Sequence, residues 1–328
     1  MIRRQQEIED FLAATKFSGA KLLPLAGDAS MRRYVRVVAG DNIAMVMDTP
    51  AEGENFPAFI TIAEYLYNNG YSAPQILARD IQQGFLLLED FGDESFTKIL
   101  KTKQTWSEKT LYSTAIDLLA ELVNLPQNSL SLPPYNDELY LREISLFADW
   151  FMPQFLGMKK ATDLRYEYME IWQKILCSFP LKQNVFVHRD FHADNLMWLP
   201  ERNNTKRVGL LDFQDAVIGN AAYDVVSLLE DARRDVPHEL IVEMTEHYTD
   251  ITGADKQDFD TAYNILGAQR NSKIVGIFVR LAVRDRKENY MNYLPRVWKH
   301  LERDIKHPLL VDLRKWLDKH ITPEMRGK

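Results

Sequence analysis

The sequence predicts an α+β protein with a small, strand-rich N-terminal part and a large, mainly helical C-terminal part. Three observations carry this. Between Lys21 and Asp90, short β-branched and Leu-rich runs alternate with polar turns. From about residue 95 onward, apolar residues recur at three-and-four spacing. Two short apolar runs, NVFVH at 184–188 and RVGLLDF at 207–213, interrupt the helical part. The chain has 328 residues and is 46% hydrophobic, enough to bury a large core as two lobes, expected at 1–90 and 91–328.

Taken in order, a first helix is expected around Ile8, Phe11 and Leu12. Residues 21–50 read as strand, turn, strand, Gly-Asp turn and strand. FPAFITIAEYLYNNG has helical spacing through Phe59, Ile62, Ala63 and Leu66 and closes at Gly70. GFLLLED then reads as a buried strand. Helices are expected over 106–125, 137–157 and 162–179, and again from Tyr223 to the C-terminus.

The segment VHRDFHADNLMWLPERNNTKRVGLLDFQD carries the chemistry. Asp190 and Asn195 stand at the spacing H-R-D-x-x-x-x-N, and Asp212 follows on a second apolar run. The turn-rich PERNNTKR would join NLMWL and VGLLDF as a hairpin. A carboxylate base, an amide oxygen and a second carboxylate are the groups that phosphoryl transfer from Mg-ATP requires, and the catalytic loop of kinases has this spacing. Such transfer needs an aligned acceptor and cations on the phosphate oxygens more than covalent work. Asp190 would accept the proton of the attacking hydroxyl. Asn195 and Asp212 would hold Mg²⁺, a hard cation that prefers oxygen. His188 and His192 bracket Asp190, but one cysteine in the whole chain and no third nearby ligand argue against zinc. They read as supports of the catalytic loop, His192 alternatively lying near the transferred phosphate.

Composition excludes other classes. The formal net charge is −7 and no long basic stretch offsets it, so nucleic acid is not expected as a partner. No apolar run approaches the ~18 residues of a membrane helix, and MIRRQQEIEDFL lacks the apolar stretch of a secretory signal. Lone Cys177 excludes an internal disulfide and fits a reducing, cytoplasmic location. No protein partner is predicted.

The motif H-x-D-x-H-x-x-N, His188 to Asn195, resembles the aminoglycoside phosphotransferase-like small-molecule kinases. These share the protein-kinase-like two-lobe fold. GDASMRRYVRV, VMDTP, GFLLLEDFGD, LDFQDAVIGNAAYDVVSLLED and QRNSKIVGIFVRLAVRD look like the anomeric sugar-kinase branch. That branch phosphorylates N-acetylmuramate and N-acetylglucosamine at the C1 hydroxyl in cell-wall recycling. The resemblance spans about residues 20 to 300. It implies ATP and Mg²⁺ as cofactors and an amino sugar as substrate. It implies that Gly27, Asp28, Ala29 and Ser30 form the turn over the ATP phosphates, and that Glu89, Asp90 and Phe91 form the hinge for adenine. Asp190 would be the base, and Asn195 and Asp212 the metal ligands. Asp224 would brace the catalytic loop, while Asp215 would approach the metal or sugar or be an exposed turn residue.

One departure stands out. Kinases place a lysine on the third strand to hold the phosphates, yet no lysine occurs between Lys21 and Lys98. Arg32, Arg33 or Arg36 could supply that charge, with Arg33 taken into the nucleotide site. For the sugar, Phe147, Trp150, Phe151 and Phe155 could stack on a pyranose, although their helical spacing suits core equally. Arg142 and Glu143 could reach sugar hydroxyls or a lactyl carboxylate, or be ordinary surface groups. Gln269 and Lys273 share a helix face, and Gly276 permits close packing. The rival readings are the same machinery acting on an aminoglycoside, choline or homoserine, and a non-catalytic pseudokinase.

Overall fold

The computed structural model describes residues 2–25, 32–49, 56–102, 106–126, 130–182 and 184–327. The turn Gly27, Asp28, Ala29 and Ser30 lies outside these residues. The chain packs as two compact units. The first comprises 1–114, 128–130 and 194–215; the second comprises 115–127, 131–193 and 216–328.

The first unit opens with α1 (Ile2–Ala13), β1 (Lys21–Pro24), β2 (Arg33–Ala39) and β3 (Asn42–Asp48). It continues with α2 (Phe56–Asn68), β4 (Ile76–Asp80), β5 (Phe85–Leu88) and α3 (Phe96–Thr102). The strands form one antiparallel sheet in the order β1-β2-β3-β5-β4. Ala39 pairs with Asn42 across the two-residue Gly-Asp turn, where Gly40 takes φ +60°. That positive φ is what a tight hairpin demands and glycine supplies without steric cost. Side chains alternate across the sheet. One face puts Val35, Val37, Ala44, Val46, Phe85 and Leu87 against Ile8, Leu12 and Phe17. The other face presents Tyr34, Met45 and Leu88 to a cavity. The short strand β4 was not expected; its residues are at best half-buried, so it shows no apolar signature.

A second hairpin, β6 (Val185–Val187) aside, is formed by β7 (Leu196–Trp198) and β8 (Val208–Leu210), paired antiparallel as the flanking apolar runs suggest. It belongs with the first unit, not with the helical part where the sequence placed it. Ser72 bridges Gly209, Ser95 bridges Met197, and Ser72 Oγ donates to the Lys206 carbonyl at 2.6 Å. Phe96 and Trp106 both pack edge-on against Trp198.

The second unit contains α5 (Asp137–Leu146), α6 (Met152–Leu156), α7 (Met158–Ser178), α8 (Ala222–Leu229) and α9 (His238–Thr252), with α4 (Glu108–Leu122) running into it. It closes with α10 (Lys256–Val283), α11 (Leu294–Asp304) and α12 (Val311–His320). β6 pairs with β9 (Val217–Gly219). α10, 28 residues long and capped by Asp255, is the hub. It is buried on nearly every side, so its sequence lacks the one-sided stripe of a surface helix. At Gly276 it packs tightly on a neighbour: a Cβ there would lie 2.3 Å from the Leu146 carbonyl carbon. At that point the helix expected over 137–157 changes to a π-helical turn, Phe147–Phe151, before resuming as α6. No helix among the described residues is long and apolar enough to cross a membrane.

Candidate active site

In the first unit a cavity of about 300 Å³ is lined by Arg32, Tyr34, Met45, Leu88, Glu89, Asp90, Phe91, Asn195, Met197 and Asp212, among others. Leu88, Met197 and Leu211 give it apolar walls, and all three of Glu89, Asp90 and Phe91 border it. The Glu89 N–H is taken by the Gln75 carbonyl at 2.8 Å, so Glu89 offers a planar ligand no backbone donor. The Asp90 carboxylate is engaged too, accepting from Arg36 and from the Gly92 N–H. Arg36 is thus tied to Asp90 and Asp93 and is not a free cation of the cavity.

Arg32, not Arg33, faces the cavity. Arg32 is 4% exposed and lies over the Phe59 ring, with Nη1 3.9 Å from Asp212 Oδ1. Arg33 is exposed and absent from the cavity wall, because adjacent residues at a strand end point to opposite faces. The choice between them depends on strand parity, which only the register fixes.

Asn195 and Asp212 come together across the β7–β8 hairpin. Leu211 N–H donates to the Asn195 carbonyl at 3.0 Å, and Asn195 Nδ2 faces Asp212 Oδ2 at 3.5 Å. Asp212 adopts φ +63°, a left-handed conformation that Asp tolerates better than most residues. Gln214, which the sequence reading passed over, donates from Nε2 to Asp212 Oδ1 at 2.9 Å and orients the carboxylate. A half-turn of the Asn195 amide presents its oxygen beside the carboxylate. One carboxylate and one amide oxygen then suit Mg²⁺, which fills its remaining positions with phosphate and water oxygens. Asp215 is exposed and outside both cavities described here.

The second unit holds Asp190. It lines a cavity with His192, Tyr223, Ala232, Arg233, Arg270, Lys273 and an apolar wall of Ile274, Ile277 and Phe278. Burial pushes the Asp190 carboxyl up, but Lys273 foremost among its cationic neighbours outweighs this and holds it below its ordinary value. Asp190 is thus ionised at neutral pH and able to accept a proton.

The loop that presents it is strained and heavily braced. Arg189, just before Asp190, takes φ +73°, which is costly for a non-glycine residue. Both oxygens of Asp224 hold the turn, accepting from the His188 N–H at 2.6 Å and the Arg189 N–H at 2.9 Å. Burial raises the Asp224 carboxyl to about 7 despite those donors. His188 is fully buried, and its Nδ1 accepts from the Asp190 N–H at 3.3 Å. His192 is buried on the cavity wall, where desolvation lowers its pKa and favours the neutral ring.

Glu143 overturns its surface reading. It is 6% exposed and accepts from Tyr135 Oη, Arg189, Gln269 and Lys273. Burial pushes its carboxyl up, but Lys273 and Arg189 more than offset this and lower it to about 2. Through Arg189 it braces the turn before Asp190, and through Lys273 it fixes an ammonium that acts on Asp190. Arg142 is exposed and takes no part in this cluster. Phe147 and Phe151 are core: both are fully buried and stack on each other and on Tyr168 or pack against Trp298. Phe155 stacks on Phe151, and neither it nor Trp150 lines the Asp190 cavity.

Comparison with known proteins accords with this geometry. Residues 21–259 match the phosphotransferase enzyme family. The N-acetylmuramate/N-acetylglucosamine kinase of Caulobacter vibrioides is 33% identical, with 96% of each chain covered. The enzyme of the same name from Pseudomonas aeruginosa is 35% identical over 90% of this chain and 87% of its own. Among solved structures, choline kinase LicA from Streptococcus pneumoniae superposes with a TM-score of 0.61 at 13% identity, covering 94% of this chain and 99% of its own. ADP-bound aminoglycoside phosphotransferase APH(2'')-Ib does so with a TM-score of 0.56 at 15% identity, covering 90% and 95%. At those identities the structures establish a shared kinase-like α+β fold. The chain belongs to the phosphotransferase enzyme family and is an enzyme that transfers a phosphoryl group.

Proposed function

We propose that the protein transfers the γ-phosphoryl group of ATP to the anomeric C1 hydroxyl of N-acetylmuramate or N-acetylglucosamine. The observation that carries this is near-full-length similarity to kinases of that name, in a chain that retains an ionised Asp190 on a cavity wall. The cavity charge supports it. Among its lining residues Arg233, Arg270 and Lys273 stand beside a single acid, Asp190, so the wall offers no cluster of acids to receive a polycationic aminoglycoside or a choline ammonium.

In this reading adenine lies between the apolar walls of the first cavity, against Leu88, Met197 and Leu211. Asn195 and Asp212 would hold Mg²⁺, which would neutralise charge on the phosphate oxygens. Asp190 accepts the C1 hydroxyl proton as that oxygen attacks the γ-phosphorus. The bond from the γ-phosphorus to the bridging oxygen breaks, and ADP leaves with the electron pair. Asp224 and His188 keep Asp190 in place.

Arg32 supplies the phosphate clamp that the absent lysine leaves open. It immediately precedes β2, lines the cavity and already neighbours Asp212. A charge-assisted hydrogen bond contributes roughly 1.5–3 kcal/mol. Arg32→Met is therefore expected to raise the KM for ATP by roughly 10–100-fold, with Arg32→Lys recovering part of it. An unchanged KM in Arg32→Met would assign the clamp elsewhere.

The acceptor itself is tested with Mg-ATP and four candidates: N-acetylmuramate, N-acetylglucosamine, kanamycin and choline. Turnover is expected with the sugars alone, together with loss of their reducing end, because a C1 phosphate blocks it. Turnover with kanamycin or choline but neither sugar would overturn the reading.

A further inference from the structure

The connection between β7 and β8, residues 199–207, closes the hairpin whose open end carries Asn195 and Asp212. Its own hydrogen bonds fix it. Leu199 N–H donates to the Arg207 carbonyl at 2.8 Å, and Arg202 N–H to the Leu199 carbonyl at 3.0 Å. Arg207 Nε donates to the Arg202 carbonyl, also at 3.0 Å, so the backbone of Arg202 is tied at both its N–H and its C=O.

From this turn the Arg202 side chain reaches the edge of the first unit's cavity. Its guanidinium donates to Glu89 Oε1, and its Cζ stands 5.1 Å from the centre of the Phe91 ring. Glu89 and Phe91 both line the cavity, whereas Arg202 does not. One cation therefore engages two of the three residues expected as the hinge. The Phe91 ring also rests on Gly209 of β8, where a Cβ would lie 2.8 Å from Phe91 Cδ2. Stability does not account for this arrangement. The Arg202 and Glu89 side chains are 30% and 31% exposed, and an ion pair so placed adds little to folding. A guanidinium that bonds a carboxylate and covers a ring at once is suited to fixing geometry.

We propose that Arg202 is a positioning residue of the nucleotide site, holding Glu89 and the Phe91 ring in the arrangement that receives the base of ATP. This rests on placing the nucleotide in that cavity, as above. The closed end of the hairpin then serves the base, while its open end serves the phosphates through Asn195 and Asp212.

The test measures kcat, KM for ATP and competitive inhibition by adenosine, which carries the base without the phosphates. In Arg202→Met, the KM for ATP and the Ki for adenosine are expected to rise together, by about three- to tenfold, with kcat nearly unchanged. Arg202→Lys keeps the charge and is expected to recover part of both. A rise for ATP without one for adenosine would overturn the proposal, as would no rise in either. Gly209→Ala displaces the same ring without touching Arg202 and is expected to give the same paired rise. Should Arg202→Met not fold, the absence of that rise in Gly209→Ala would overturn the proposal. Leu211→Ala alters the cavity wall itself. If it leaves both constants unchanged, the nucleotide lies elsewhere and the underlying placement falls. If it raises both while Arg202→Met raises neither, only the positioning role falls.

Discussion

Asp190→Asn is expected to lower kcat by about 10³-fold or more while leaving nucleotide affinity nearly unchanged. The substitution preserves shape and removes only the charge that accepts the proton. The cavity proposed to hold the nucleotide is lined by residues of the first unit, and Asp190 is not among them. The loss should therefore fall on the chemical step. A coupled assay measures kcat, and calorimetric titration with a non-hydrolysable ATP analogue measures binding. Turnover within tenfold of the native rate would remove Asp190 from the role of base. The pH profile adds an independent check. A base must be ionised, so the rate falls as pH drops through its pKa. Because Lys273 and its neighbours hold Asp190 below its ordinary value, that acid limb should lie below the usual aspartate range. Lys273→Met should move it upward, since burial is then opposed by fewer charges.

The parts of this site that could be read in the sequence are those where spacing alone imposes geometry. Asp190, Asn195 and Asp212 flank two short apolar runs, and a hairpin between them necessarily brings Asn195 to Asp212. Asp224, in the first turn of α8, holds the backbone N–H groups of His188 and Arg189 and not those of its own helix. What escaped was set by partners distant in sequence. Arg32 and Arg33 are equivalent until the register of β2 decides which faces inward. Gln214 is unremarkable until it is seen to hold Asp212. The π-helical turn starts at Phe147, where the backbone lies against Gly276, more than a hundred residues away. Glu143 did leave a trace. It falls three residues after Tyr140 and four before Phe147, on the buried stripe of its helix, where a surface carboxylate does not belong.

That carboxylate should prove the most costly single charge to remove. Glu143→Gln leaves Arg189 and Lys273 buried side by side without their common counter-ion, at side-chain exposures of 19% and 13%. Breaking a buried ion pair from one side typically costs about 3–5 kcal/mol, because the remaining charge is uncompensated. We expect a loss of that order at pH 7, measured by urea unfolding, together with a fall in activity as the Arg189 turn loosens. The pH dependence has a definite sign. The folded carboxyl titrates at about 2 and its ordinary value is 4.5, so its contribution is fully present above that ordinary value. It is lost as pH falls from there through the folded pKa. The stability gap between native and Glu143→Gln should therefore narrow below about pH 4.5 and stay constant from pH 5 to 7. Adding Lys273→Met to Glu143→Gln should recover part of the stability, because it withdraws one of the two stranded cations. A gap under 1 kcal/mol at pH 7, or a double variant less stable than the single one, would show that Glu143 holds its neighbours by shape and hydrogen bonding, not by charge.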